Sequence, residues 1–177
     1  MIRPILIHPD PRLRKVAEPV GRVDDDVRAL MDDMLETMYN APGIGLAAPQ
    51  LGVARRVIVM DCAKGEDEAP EPICLADPEV VWTSDELSEH EEGCLSVPDI
   101  YAPVTRPAEV RVRFLNRAGE AEERHFKGLR ATCVQHEIDH LNGKLFIDYL
   151  GAMRRQMITS KMKKLKRERA RTRTAAE

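Results

Sequence analysis

His136-Glu137-Ile138-Asp139-His140 sets two imidazoles four residues apart. On a helix that spacing puts both rings on one face with Cβ atoms about 5–6 Å apart, which suits joint coordination of one metal ion. Glu137 lies about 100° around the helix from His136, so its carboxyl sits beside such an ion and can accept a proton from water there. The chemistry this pattern points to is metal-assisted hydrolysis. By itself the pattern also fits a polar helix face, and a catalytic ion needs a third protein ligand and an open position. Cys94, His90, His125 and several carboxylates compete for that place, and a thiolate is the best-matched soft donor. Cys94 stands in Glu92-Gly93-Cys94-Leu95-Ser96-Val97-Pro98, where the glycine lets the backbone approach closely and charged residues precede the thiol. His90 is the weaker rival, and His8 and His125 read as ordinary surface or satisfied histidines.

A third unusual stretch, Gly43-Ile44-Gly45-Leu46-Ala47-Ala48-Pro49-Gln50, is dense in small residues that leave room for a substrate chain against the backbone. It has no Gly-Lys-Ser/Thr ending and no G-x-G-x-x-G opening a helix, so a nucleotide cofactor is excluded.

Several elements must position these residues. Val27, Leu30, Met31, Met34 and Met38 recur at helical spacing over 24–40, with Asp24, Asp25 and Asp26 supplying the N-cap and first-turn charge. That methionine stripe is core, and the helix ends at Ala41-Pro42-Gly43. Residues 55–61 read as a strand, 63–72 as an exposed acidic loop, 73–75 and 79–82 as short strands. Residues 109–116 alternate Val110, Val112 and Phe114 with polar neighbours, turn at Asn116-Arg117-Ala118-Gly119, and return over 120–126, so the sheet is built from local antiparallel hairpins. The helix over 129–141 places Val134, Ile138 and Leu141 on one side and carries the chemistry on another. A last helix runs from 150 to about 169, with residues 171–177 frayed.

With 43% apolar and 32% charged residues the chain is an ordinary globular composition, long enough to form a core without disulfides. The four cysteines are read as reduced, Cys62 and Cys74 as small buried hydrophobes. No apolar run approaches the ~20 residues a membrane span requires, and the opening residues do not form a signal peptide, so the expected location is the cytoplasm. Residues 150–177 hold 10 Lys and Arg against 2 Glu, leaving 17 basic and 28 acidic residues before them. Such a basic arm on an acidic body is the usual footprint of attraction to a polyanion, although a solvated helix face is the simpler explanation.

Taken together, GIGLAAPQ at 43–50, EGCLSVP at 92–98 and QHEIDHLNG at 135–143 closely resemble the three signature motifs of the peptide deformylase family, in order, spacing and overall length. The resemblance implies a compact single-domain α+β fold, with antiparallel sheets around a central H-E-x-x-H helix and a C-terminal helix; residues 1–149 would be the hydrolase body and 150–177 the basic helix and tail. It implies removal of the formyl group from formylmethionyl nascent polypeptides, with release of formate. By the family's pattern Cys94, His136 and His140 bind one divalent ion and Glu137 is general base and acid. Gln50 and the Leu95 backbone N–H stabilise the oxyanion, and Ile44 and Gly45 line the substrate cleft. Fe2+ is the native ion so implied, with Zn2+, Ni2+ or Co2+ able to replace it in purified protein.

Two other readings compete. A metallopeptidase of the H-E-x-x-H kind would recruit a downstream Glu or His as third ligand, but only Asp148, Glu168 and Glu177 are acidic beyond His140 and no histidine follows. A ribosome- or RNA-associated binding protein would use the basic tail and keep the metal as a structural element. An enzyme of nascent chains gains local concentration by touching ribosomal RNA, so ribosome contact through the tail is expected in either case.

Overall fold

Val57-Ile58-Val59-Met60 is apolar on both faces of its pleat, and in the computed structural model of the chain it is the strand buried from both sides. The structure describes residues 1–63 and 67–176. Among them the strands are β1 (Gly45–Ala47), β2 (Val57–Met60), β3 (Ile73–Thr83), β4 (Leu87–Cys94), β5 (Val97–Pro107), β6 (Glu109–Leu115) and β7 (Ala121–Lys127), and the helices α1 (Asp25–Asn40), α2 (Gly128–Leu141) and α3 (Ala152–Ala176). Five strands form an antiparallel sheet in the order β1-β2-β3-β6-β7, and β4 and β5 form a separate hairpin. The fold is the expected α+β arrangement, with the chemistry-bearing helix packed against the sheet.

α1 begins where the Asp24 carboxylate accepts the Val27 N–H at 2.9 Å, and its Val27, Leu30, Met31, Met34 and Met38 pack on Leu46, Val57 and Val59. The opposite sheet face presents Ile58, Met60, Leu75, Val110, Val112 and Phe114 to Val134, Ile138 and Leu141 of α2. A third cluster joins the hairpin residues Val97, Ala102 and Val104 to Leu145, Phe146 and Ile147 and to Ile158 and Met162 of α3. These packed surfaces fix α2 between sheet and hairpin.

Several elements differ from expectation. The two short strands read over 73–75 and 79–82 are one strand, irregular between Ala76 and Glu79, where Asp77 takes φ 48° and its carboxylate accepts the Val20 and Gly21 N–H groups. The hairpin over 87–107 was not read at all, and it carries half of the site. Its Leu95-Ser96 turn joins Cys94 directly opposite Val97. The acidic loop read over 63–72 lies partly outside the described residues. α3 continues through Ala176 instead of fraying from 171, as its run of Lys, Arg and Ala favours. No helix among the described residues is long and apolar enough to cross a membrane.

Candidate active site

His136, Glu137 and His140 project from α2 and are 7%, 4% and 1% exposed. Cys94 ends β4 and reaches the same helix face. One donor atom each from Cys94, His136 and His140 lies within 4.8 Å of the others, and Cys94 Sγ is 3.4 Å from His140 Nε2. The rivals lie elsewhere in hydrogen bonding: His125 Nε2 pairs with Glu109 at 3.0 Å, His8 Nε2 with Thr159 at 2.8 Å, and His90 sits opposite Val104 in the hairpin.

Glu92, two residues before the thiol on the same strand, accepts a hydrogen bond from His136 Nδ1 at 2.9 Å. This leaves Nε2 as the free donor atom of the ring, and Phe146 stacks on the ring at 6.0 Å between centroids. Glu92 is itself gripped by both Nε and Nη2 of Arg106, at 2.7 and 2.9 Å, and Arg106 Nη1 donates to Asp139 at 2.8 Å, where the Tyr149 hydroxyl also donates. Sequence reasoning quoted Glu92 without giving it a role, and missed Arg106 and Tyr149. Only the proximity of Glu92 to Cys94 in one motif could have signalled the carboxylate.

Burial disfavours charge on Glu92, but Arg106 outweighs it and holds the carboxyl below its ordinary value. Burial pushes the Glu137 carboxyl up to about 7, against the attraction of His136. His140 is driven down by burial and by His136, whereas His136 is raised despite burial by Cys94, Glu92 and Glu137. Glu137 Oε1 is 4.0 Å from His136 Nε2, while Glu137 Oε2 and His140 Nδ1, both buried, have no hydrogen-bond partner among the described residues. A buried acceptor left open beside two imidazoles and a thiol fits a group that brings its own proton donor. Imidazole and thiolate together suit a borderline-soft divalent ion.

The other expected residues border this centre. A Cβ on Gly45 would stand 2.7 Å from Glu137 Oε1 and 2.8 Å from Cys133 Sγ, so only glycine lets β1 run so close to the carboxyl. The Ile44 carbonyl accepts from Cys133 Sγ at 3.6 Å, and Leu95 packs over Gly43. Gln50, 1% exposed, directs Nε2 toward Cys94 Sγ at 3.6 Å.

An α+β domain in which a hairpin thiol faces the histidines of an H-E-x-x-H helix places the chain among the metal-dependent hydrolases. Comparison with known proteins narrows that class. The sequence profile of the polypeptide deformylase family matches residues 2–156. A peptide deformylase of Methylocella silvestris is 60% identical over 165 residues, covering 92% of this chain and 84% of that protein, and one of Mesorhizobium japonicum is 54% identical, covering 96% of each. The crystal structure of peptide deformylase from Ehrlichia chaffeensis superimposes with a TM-score of 0.91 at 38% identity, over 96% of this chain and 99% of that one. The same organism's enzyme in complex with actinonin gives 0.89 at 40% identity, over 94% and 98%. The chain belongs to the peptide deformylase family, metalloenzymes that remove the formyl group from formylated nascent peptides.

Proposed function

We propose that Cys94, His136 and His140 hold one divalent ion and that Glu137, Gln50 and the Leu95 N–H carry out deformylation around it. The observation that carries this reading is the convergence of Sγ and two imidazole nitrogens beside a buried, unpartnered carboxyl. When bound, such an ion supplies Lewis acidity, making water nucleophilic near neutral pH and polarising the formyl carbonyl. Glu137, whose buried carboxyl titrates near neutrality, accepts the proton of the attacking water and returns it to the departing amine. The Gln50 amide and the Leu95 N–H meet the charge developing on the formyl oxygen. β1 closes one end of the sheet order, so its outer edge can pair with an extended peptide, with Ile44 and Gly45 along the cleft. An acyl carbon bearing only hydrogen fits a tight space against the ion, from which bulkier acyl groups are excluded by steric clash. We take Fe2+ as the ion in the cell on the family resemblance alone, since two imidazoles and a thiolate accept Zn2+ equally well.

Formate release from a formyl-Met peptide, set against cleavage of the unformylated peptide, tests the reading. Release of formate with no internal cleavage is the expected result, and internal cleavage alone would establish a peptidase instead.

Ribosome contact through α3 completes the proposal. Only Ile158 and Met162 of that helix are buried, Leu165 is partly covered, and beyond it Lys166, Arg167, Arg169, Arg171 and Arg173 face solvent. Met162 belongs to the third core cluster, so a cut at 161 would damage the body and truncation belongs after Leu165. Loss of 166–177 should weaken ribosome binding in low salt by roughly tenfold or more while sparing turnover of a short peptide. Sedimentation with ribosomes reads the first and formate release the second; equal binding at low salt refutes the contact.

A further inference from the structure

Gln50 is held at both ends of its amide. Its Oε1 accepts the Ala47 N–H at 2.9 Å; since that backbone group can only donate, the oxygen must face it and Nε2 must face away. There Nε2 donates to Ser96 Oγ at 3.0 Å and, more weakly, to Cys94 Sγ at 3.6 Å. Ser96 is 0% exposed, so no solvent competes for this bond. The N-terminal segment holds the same two residues in register through their backbones: Leu6 N donates to Gln50 O at 2.8 Å and His8 N to Ser96 O at 2.9 Å.

We propose that Ser96 is a positioning residue for deformylation, its hydroxyl engaging one hydrogen of Gln50 Nε2 so that the other is held on the Cys94 side of the amide, where the formyl oxygen would enter and take it over. The two hydrogens of a carboxamide share one plane at a fixed angle, so capturing one sets the direction of its twin. The terminal torsion of glutamine is otherwise broad, and the Ala47 bond alone leaves the plane free to tilt. Ser96 therefore supplies the preorganisation on which oxyanion stabilisation depends. Loss of its hydroxyl tilts Gln50 without releasing it, so the effect is smaller than loss of Gln50 itself.

The proposal rests on the role of Gln50 stated above, and a double-mutant cycle in the zinc-loaded holoenzyme separates the two. Gln50→Ala should lower kcat roughly 10²- to 10³-fold. Ser96→Ala should lower kcat about tenfold with KM unchanged to within about twofold, the pattern of an interaction made only in the transition state. In the Gln50→Ala background the same change should add less than about twofold. Additive losses, or full kcat in Ser96→Ala beside an impaired Gln50→Ala, overturn the role of Ser96 and leave that of Gln50 standing. Full kcat in Gln50→Ala overturns both.

A second readout needs no turnover. In 15N-labelled zinc-loaded protein the Gln50 side-chain NH2 pair, identified by its absence from Gln50→Ala, should be two well-separated signals that draw together in Ser96→Ala; an unchanged pair overturns the proposal. Should Ser96→Ala fail to fold, Ser96→Cys, close in size with a weaker acceptor, enters the same cycle. It should give an intermediate kcat in the wild-type background and no further loss without Gln50, and additive losses overturn the proposal.

Discussion

Replacing Glu137 with alanine should leave the divalent ion bound and lower formate release by roughly 10³- to 10⁴-fold, the range lost when a positioned proton-transfer group is removed. The candidate ligand cluster does not include this carboxyl: among the described residues it comprises Cys94, His136 and His140, and Glu137 Oε1 stands 4.0 Å from His136 Nε2. The same group is poorly matched to its surroundings in every way except the catalytic one. It is 4% exposed, its Oε2 has no hydrogen-bond partner, and burial pushes it up to about 7. A group held at such a cost is expected where function requires it, and the variant should melt no lower than the parent. Metal analysis of anaerobically purified protein, alongside formate release, checks both halves. Loss of the ion together with the rate would make Glu137 a ligand, and a rate loss below about tenfold would deny it the proton.

Arg106→Leu is expected to cost about 3–5 kcal/mol of folding stability, because it strands the buried Glu92 carboxylate. Arg106 is 5% exposed and bridges Glu92 and Asp139 while its guanidinium stacks 4.9 Å above the Tyr149 ring. With the cation gone, Glu92, 5% exposed, keeps only the His136 Nδ1 donor among the described residues. Protonation relieves the charge but weakens its hold on that nitrogen, and His136 then loses the partner that orients it. Metal affinity should fall about 10- to 100-fold as a consequence. Denaturant unfolding measures the first effect and competition with a chelator the second. Adding Glu92→Gln should restore part of the stability but not the affinity, since the amide removes the stranded charge without restoring the carboxylate. Equal stability of Arg106→Leu and parent would contradict the buried-pair account.

Arg106 also explains why the hairpin was illegible in the sequence while α2 was plain. The two histidines of α2 sit on a helix whose Val134, Ile138 and Leu141 keep their period, and they take the opposite face. In β5 the inward positions are Ala102, Val104 and Arg106, so apolar alternation breaks where the site requires a charge. Pro98, Pro103 and Pro107 mask the strand further, and they are tolerated because the hairpin has only two strands and one edge of β5 needs no ladder donors. β3 was read in two pieces because Asp77-Pro78 interrupts it, and only the contact of the Asp77 carboxylate with Val20 and Gly21 shows why the chain continues. Cys94 was found through its neighbours, but Glu92, Arg106 and Ser96 act through partners 14 to 46 positions away, and no local spacing encodes such distances.

β1 ends the sheet and spans only three residues, Gly45–Ala47. An open sheet margin is a template for any passing chain, and long ones drive self-association into fibrous stacks. At this length, and with the Ala47 N–H already taken by Gln50, the margin has few main-chain groups left to offer, enough for the first residues of the guest peptide proposed above and a poor template for a second copy of the protein. Brevity thus lets a hospitable surface coexist with the crowding around nascent chains, where an adhesive one would be a hazard.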